Sequence, residues 1–580
     1  MIISINFYNT FLLFASDGRG GADGGCQRFE PELSWDDNTN LVHAHKLLEP
    51  IKHKYGLGLS WGDLIVFAGT VAIEDMGGPV LGFAAGRIDH VDNSQTKALG
   101  PSPEQEKFQH VEVNGRAEAP LGQNTMGLIY VNPEGPMGEP DPQGAADTIR
   151  DVFGRMGMDD RENVALIGGG HTFGKCHGAG TEGPGPKPCE CPHNPYPGAH
   201  GTGKGNDTVT SGIEGPWTSN PTKWDNEYFK NLLNYEWEKY KGPGGCWQWR
   251  VKGGNGPKAP AAHLGGKEQD VIMLTTDVAL VTDPNYRIYA EEFANDEKAF
   301  ADAFAKVWYK LVNRDMGPVS RLVGPYIAPA QPFQYPLPDP PSVMADMKAV
   351  EKDLENIVNV HKNEFIRLAQ NSAGTFRHTD WVGGANGARI RFSPGKDWKI
   401  NEGIDKTLKL LEPIKQKYGV CLSWADLIVL AGNVAVKSKG APKDLPFCPG
   451  RTDAVDGSGW EMLEMGNAEH PQTIDDVVFR NELRGLTDKE YVALAFAYYP
   501  SIKELKRICT IKSDEYQDIY TKALKFHPPF KNWVDFYIAK GDQAYAHDFG
   551  QVWTKFMNAD RFQGPVRLVC TRYAAQQSNL

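Results

Sequence analysis

LLEPIKHKYGLGLSWGDLIVFAG at residues 47–69 returns as LLEPIKQKYGVCLSWADLIVLAG at 410–432, with five differences in 23 positions. Chance does not produce such agreement, so the chain carries an internal duplication. The copies stand 363 residues apart, too far for a solenoid repeat, and the repeated unit is therefore a whole domain. Each copy is a control for the other: side chains that the fold needs persist in both, whereas those that chemistry needs stand in one and drift in the other. The repeated stretch reads as helix. Ser60-x-x-Asp63 is a capping box opening a run in which Leu64, Phe67, Ala68 and Val71 keep helical spacing, and Ser423-x-x-Asp426 repeats it.

Outward from this stretch, Asp283-Pro284 reads as the N-cap and first turn of a further helix, and Phe300, Phe304, Val307, Trp308 and Leu311 form the apolar stripe of the next. No period-2 run suggests a strand. The expected fold class is mainly α, two tandem helical domains joined and interrupted by long Gly/Pro-rich loops, above all 178–222. PAQPFQYPLPDPPSV at 329–343 reads as a Pro-rich linker, which puts the domains at 1–328 and 344–580.

The 580 residues are 40% hydrophobic and 23% charged, the balance of a globular protein. A formal charge of −12 without a dense Lys/Arg cluster argues against nucleic acid. No apolar run is long enough to span a membrane, and MIISINFYNTFLLFA lacks the basic residues of a signal peptide. Nine scattered cysteines do not make a disulfide framework, so a reducing, cytoplasmic location is expected. Cys189-x-Cys191-x-His193 invites a zinc reading, but the spacing is not the usual C-x₂-C and the loop around it is Pro-rich.

VALIGGGHTFGK at 164–175 sets His171 behind three glycines. With YVNPEGP at 130–136, SGIEGPWTSNPTKWDNEYF at 211–229, MLTTD at 273–277 and NRDMGP at 313–318, the chain resembles the catalase-peroxidases of the haem peroxidase superfamily, from Asp17 to its C-terminal region and including the duplication. The resemblance implies two tandem haem-peroxidase-like domains, with one haem b per chain in the first and none in the second. It implies decomposition of hydrogen peroxide and oxidation of small organic electron donors. His171 would be the axial ligand of the haem iron, Asp277 the carboxylate on its other ring nitrogen, and Trp217 the indole stacked beside them. Tyr130 and Met156 match two members of the family's Met-Tyr-Trp crosslink, and Arg314 the mobile arginine that pairs with that tyrosine. Asp37 matches the channel carboxylate, Asn38 the amide that steadies the distal histidine, and Ser211 a residue lining the way to the haem edge. The resemblance also implies a homodimer held in part by an N-terminal arm; that arm is expected to be missing here, and the dimer is not expected without it.

The second copy tests these assignments. Aligning Val164 with Val492 puts Tyr499 opposite His171, and Asn558-Ala559-Asp560 stands where the first copy has Asn313-Arg314-Asp315, so only the first copy is expected to hold haem. The distal side departs from the family. Its active half carries Arg, Trp and His where FIRLAQNSAGTFR (365–377) has Arg367, Gln370 and Asn371, and the repeat offset projects these onto Ser4, Phe7 and Tyr8. None of the three supplies the base or the cation that cleaving a peroxide O–O bond requires, and the crosslink's tryptophan is missing too. Residues 1–16 show no trace of the expected distal helix, which points to a truncated or wrongly started reading frame. Two other readings stay open at this point: a haem-binding protein without catalysis, and a haem-free relic of the fold.

Overall fold

The computed structural model describes residues 11–14, 18–30, 33, 41–94, 112–113, 116–117, 133–176, 213–242, 246–260, 267–463, 473–510 and 518–565. They form two compact units, one drawn from 1–15, 19–315 and 323–329, the other from 16–18, 316–322 and 330–580. The architecture is mainly helical. The first unit contains helices Leu41–Tyr55, Trp61–Asp75, Pro142–Arg155, Asp160–His171, Glu227–Asn234, Thr275–Thr282, Pro284–Asn295 and Glu297–Asn313. The second follows the same order through Ile404–Tyr418, Trp424–Ser438, Ile474–Leu483, Asp488–Leu494, Ile502–Thr510, Ile519–Phe526, Pro528–Lys540 and Asp542–Met557.

Asp283 caps Pro284–Asn295 by accepting from Asn285 N and Tyr286 N, as its position before proline predicts. Phe300, Phe304, Val307, Trp308 and Leu311 are all buried on one face of Glu297–Asn313, each such side chain contributing about 1.5–3 kcal/mol on removal from water. Two of the three glycines ahead of His171 have a steric purpose. A Cβ on Gly168 would lie 2.2 Å from Phe229 Cζ, and one on Gly169 1.9 Å from Phe304 Cδ2, so only glycine lets Asp160–His171 approach these rings.

Two expectations need correction. Ser60 and Ser423 do accept from Asp63 N and Asp426 N, each at 3.0 Å, but neither carboxylate turns back to complete a capping box. Each instead enters a buried ion pair, Asp63 with Arg87 at 2.9 Å and Asp426 with Arg451 at 3.0 Å. Strands are also present: Trp237–Lys241, Trp247–Val251 and Ile272–Met273 form an antiparallel sheet with Trp247–Val251 in the middle.

The duplication extends to individual hydrogen bonds. Arg87 reaches on to Val312 O and Asn313 Oδ1, and Arg451 to Met557 O and Asn558 Oδ1. The capping boxes Asp159–Glu162 and Thr487–Glu490 open equivalent helices, and each glutamate pairs with a lysine, Lys310 at 2.6 Å and Lys555 at 2.8 Å. Gly21 and Gly384, both at positive φ, press against the buried Asp315 and Asp560, where a Cβ would fall 2.3 Å from a carboxylate oxygen. Burial raises both carboxyls, Asp315 to about 6. Because both copies keep these groups, they belong to the fold rather than to chemistry.

The repeat also reaches further toward the N-terminus than Asp17. Strand Phe11–Phe14 pairs with Arg19–Gly21, Phe14 opposite Arg19, at the positions where the second unit bonds Arg377 N to Val382 O. Residues 1–10, with Ser4, Phe7 and Tyr8, lie outside the described residues, as does the candidate zinc triplet Cys189, Cys191 and His193. Cys26, Cys176, Cys246, Cys421 and Cys509 are not in disulfides, while Cys448 is disulfide-bonded, which the scattered cysteine pattern did not suggest. Among the described residues no helix is long and apolar enough to cross a membrane.

Candidate active site

His171 is the last residue of helix Asp160–His171. The chain continues into Lys175–Cys176, which pairs with Gly215–Pro216 and so delivers Trp217 alongside the histidine. Further bonds lock the two segments together. Thr218 Oγ1 donates to Thr172 O at 2.9 Å, Gly174 N to Pro221 O at 2.7 Å, Trp224 Nε1 to Gly169 O at 3.2 Å, and Thr172 Oγ1 to Asp225 O. The Trp217 ring consequently stacks on the imidazole, with centroids 4.1 Å apart and planes 12° from parallel.

Asp277 comes from the first turn of Thr275–Thr282, a helix anchored from below by the sheet: Ile272–Met273 pairs with Trp247–Val251, and Trp249 Nε1 donates to Thr275 Oγ1 at 3.0 Å. Its carboxylate is fully buried and accepts four hydrogen bonds. Oδ1 takes His171 Nδ1 at 2.7 Å and Tyr228 OH at 2.7 Å; Oδ2 takes Trp217 Nε1 at 2.8 Å and Leu274 N at 2.7 Å. Four donors on two oxygens are what a buried carboxylate needs to remain charged. The Tyr228 hydroxyl is held well above its ordinary pKa by burial and then by the adjacent Asp277 charge, so it stays a donor.

This arrangement fixes the histidine chemically. With Nδ1–H committed to Asp277, Nε2 is the ring nitrogen left with a lone pair, and the carboxylate makes that nitrogen a stronger electron donor. Stacking against Trp217 prevents the ring from turning. A single oriented imidazole with a carboxylate behind it is a donor set that fits a haem iron. It does not fit a multidentate metal site, and among the described residues no cluster of three His, Cys, Asp or Glu side chains could hold a metal ion.

The structure therefore brings His171, Trp217 and Asp277 together. Met156 is buried in the same apolar core as Trp217, at the C-cap of Pro142–Arg155. Arg314 is buried where Glu297–Asn313 gives way to a short 3-10 turn, Arg314–Met316. Asp37, Asn38, Tyr130 and Ser211 lie outside the described residues. Tyr228 was not foreseen as part of the site, although it stands inside the segment that carries Trp217; its bond to Asp277 depends on where helix Glu227–Asn234 packs.

The second unit holds the same pair of positions with different chemistry. The capping boxes place Tyr499 opposite His171, and the caps Asp283 and His527, each before a proline helix, place Thr521 opposite Asp277. Tyr499 OH lies 2.8 Å from Thr521 Oγ1, matching the 2.7 Å between His171 and Asp277. A neutral hydroxyl pair has replaced the imidazole and its carboxylate, and Phe496 and Ala497 stand where Gly168 and Gly169 admit the aromatic rings.

Comparison with known proteins gives the family. The family model described as Peroxidase matches residues 4–296 and 346–498, starting upstream of Asp17, where the resemblance had been expected to begin. A protein of Halobacterium salinarum named catalase-peroxidase is 46% identical over 478 residues, covering 78% of this chain and 65% of that protein. One of Natronomonas pharaonis with the same name is 47% identical, covering 78% of this chain and 67% of its own length. The Escherichia coli catalase-peroxidase is 39% identical over 629 residues, covering 94% of this chain and 84% of that protein. The chain thus spans slightly less than two thirds of the length of the Halobacterium relative.

Proposed function

Because the chain belongs to the catalase-peroxidases of the peroxidase family, we propose that it is a haem-dependent oxidoreductase acting on hydrogen peroxide, with one haem b held by His171 in the first unit. The observation that carries this reading is the single carboxylate, Asp277, that accepts from both His171 Nδ1 and Trp217 Nε1 while the two rings stack. A haem held there supplies the redox iron that takes electrons from small organic donors or from a second peroxide and passes them to hydrogen peroxide. The protein's part is to keep His171 in one tautomer and one orientation, to hold the Asp277 charge out of water, and to keep Trp217 in contact with the imidazole. Tyr130 and Met156 as crosslink partners, Arg314 as their pH-dependent partner, and Asp37, Asn38 and Ser211 along the approach to the haem belong to the same reading. So does a cytoplasmic location, which the unbridged cysteines among the described residues favour and the bonded Cys448 does not.

A second reading, haem binding without peroxide turnover, is favoured by Ser4, Phe7 and Tyr8 at the projected distal positions. Reconstitution separates the readings. The expected result is one five-coordinate haem per chain, seen as a Soret band that saturates at a ratio of one. Oxygen release from added peroxide then distinguishes the enzyme from the binder. A ratio of two would restore the second unit as a site, and no Soret band would leave the chain a haem-free relic.

A further inference from the structure

We propose that Tyr228 is a positioning residue that weakens the hold of Asp277 on His171 and thereby sets how strongly the imidazole donates to the metal. The inference rests on the haem reading above and concerns a residue that this reading does not use.

The geometry is specific. Tyr228 OH donates at 2.7 Å to Asp277 Oδ1, the same oxygen that accepts His171 Nδ1 at 2.7 Å, whereas Trp217 Nε1 and Leu274 N share the other oxygen. Two donors on one carboxylate oxygen divide its negative charge, so each bond is weaker than it would be alone. Less charge facing the Nδ1–H leaves the imidazole less anionic, and a less anionic imidazole donates less through Nε2. Tyr228 is completely buried, with its ring edge-on to His171 at 6.0 Å and 76° and to Phe229 at 5.0 Å and 74°. Water therefore cannot substitute for its hydroxyl, and phenylalanine can fill its place without changing the packing. At the equivalent site of the second unit, Thr521 offers no carboxylate and there is no charge to divide.

Tyr228→Phe tests this with two measurements. In the haem-loaded protein the Fe–imidazole stretching frequency should rise and the ferric form should gain about tenfold over the ferrous, a fall of about 59 mV in midpoint potential for one electron. In the haem-free protein the His171 Nδ1–H proton resonance should move further downfield, a readout that does not depend on the haem reading. In an Asp277→Ala background the same substitution should produce neither change. Failure of the wild type to form five-coordinate haem would count against the proposed function and leave the proton resonance to decide on Tyr228. An unmoved resonance, an unmoved or raised potential in loaded Tyr228→Phe, or a shift that survives Asp277→Ala would overturn the inference.

Discussion

Peroxide cleavage by the 580-residue chain is expected to run at least about 10⁴-fold slower than in a catalase-peroxidase that carries Arg, Trp and His at the distal positions. General acid-base transfer contributes roughly 10²–10⁴-fold and stabilisation of developing charge roughly 10²–10³-fold, and Ser4, Phe7 and Tyr8 offer neither at neutral pH. The structure strengthens the projection behind those three residues. Phe14 opposite Arg19 repeats the Arg377–Val382 pairing, and Gly21 repeats Gly384, each at an offset of 363 residues; Gly21 rests on Asp315 as Gly384 rests on Asp560. No histidine precedes His43 in the chain. Stopped-flow measurement of peroxide consumption by the reconstituted protein checks the expectation, and a rate within tenfold of a complete relative would contradict it.

Arg87→Ala is expected to destabilise the first unit by about 3–5 kcal/mol, the usual cost of stripping one partner from a buried ion pair. Arg87 is fully buried apart from its partners: it donates to Asp63 Oδ1 at 2.9 Å, Ala84 O at 2.9 Å, Asn313 Oδ1 at 3.1 Å and Val312 O. Its loss leaves Asp63 charged in the interior with only the amides of Gly86 and Arg87. Arg451→Ala should do the same to the second unit, where Asp426, Cys448 O, Met557 O and Asn558 Oδ1 are the partners. Two units need not unfold in one step, so urea titrations followed separately by haem absorbance and by far-ultraviolet dichroism should show each variant moving its own transition. Unfolding free energies that change by less than about 0.5 kcal/mol, the range of an ordinary surface substitution, would contradict a structural role for the network.

These networks show what a sequence can and cannot disclose. The duplication was legible because Ser60/Ser423 and Asp63/Asp426 persist at one spacing, and the site because His171, Trp217 and Asp277 each stand in a distinctive local string. What escaped depended on distant partners. Nothing near Asp63 indicates that its carboxylate turns to Arg87 instead of closing a capping box. Nothing near Tyr228 indicates Asp277, 49 residues away. That Thr521 replaces Asp277 emerges only when the helices after Asp283 and His527 are superposed in order. The strands did leave a trace: Trp247, Trp249 and Val251 alternate with Gln248 and Arg250, but five residues are too few to outweigh a helical context.

The identity of the iron ligand is tested most directly by His171→Ala, read by absorption and resonance Raman spectroscopy after loading with haem. Among the described histidines, His171 alone is stacked on Trp217 and bonded to the buried Asp277. The variant should therefore lose the five-coordinate haem spectrum and its Fe–imidazole stretch, and exogenous imidazole should restore both by filling the vacated position. A variant that retains the wild-type spectrum and stretch without added imidazole would show that the iron is held elsewhere.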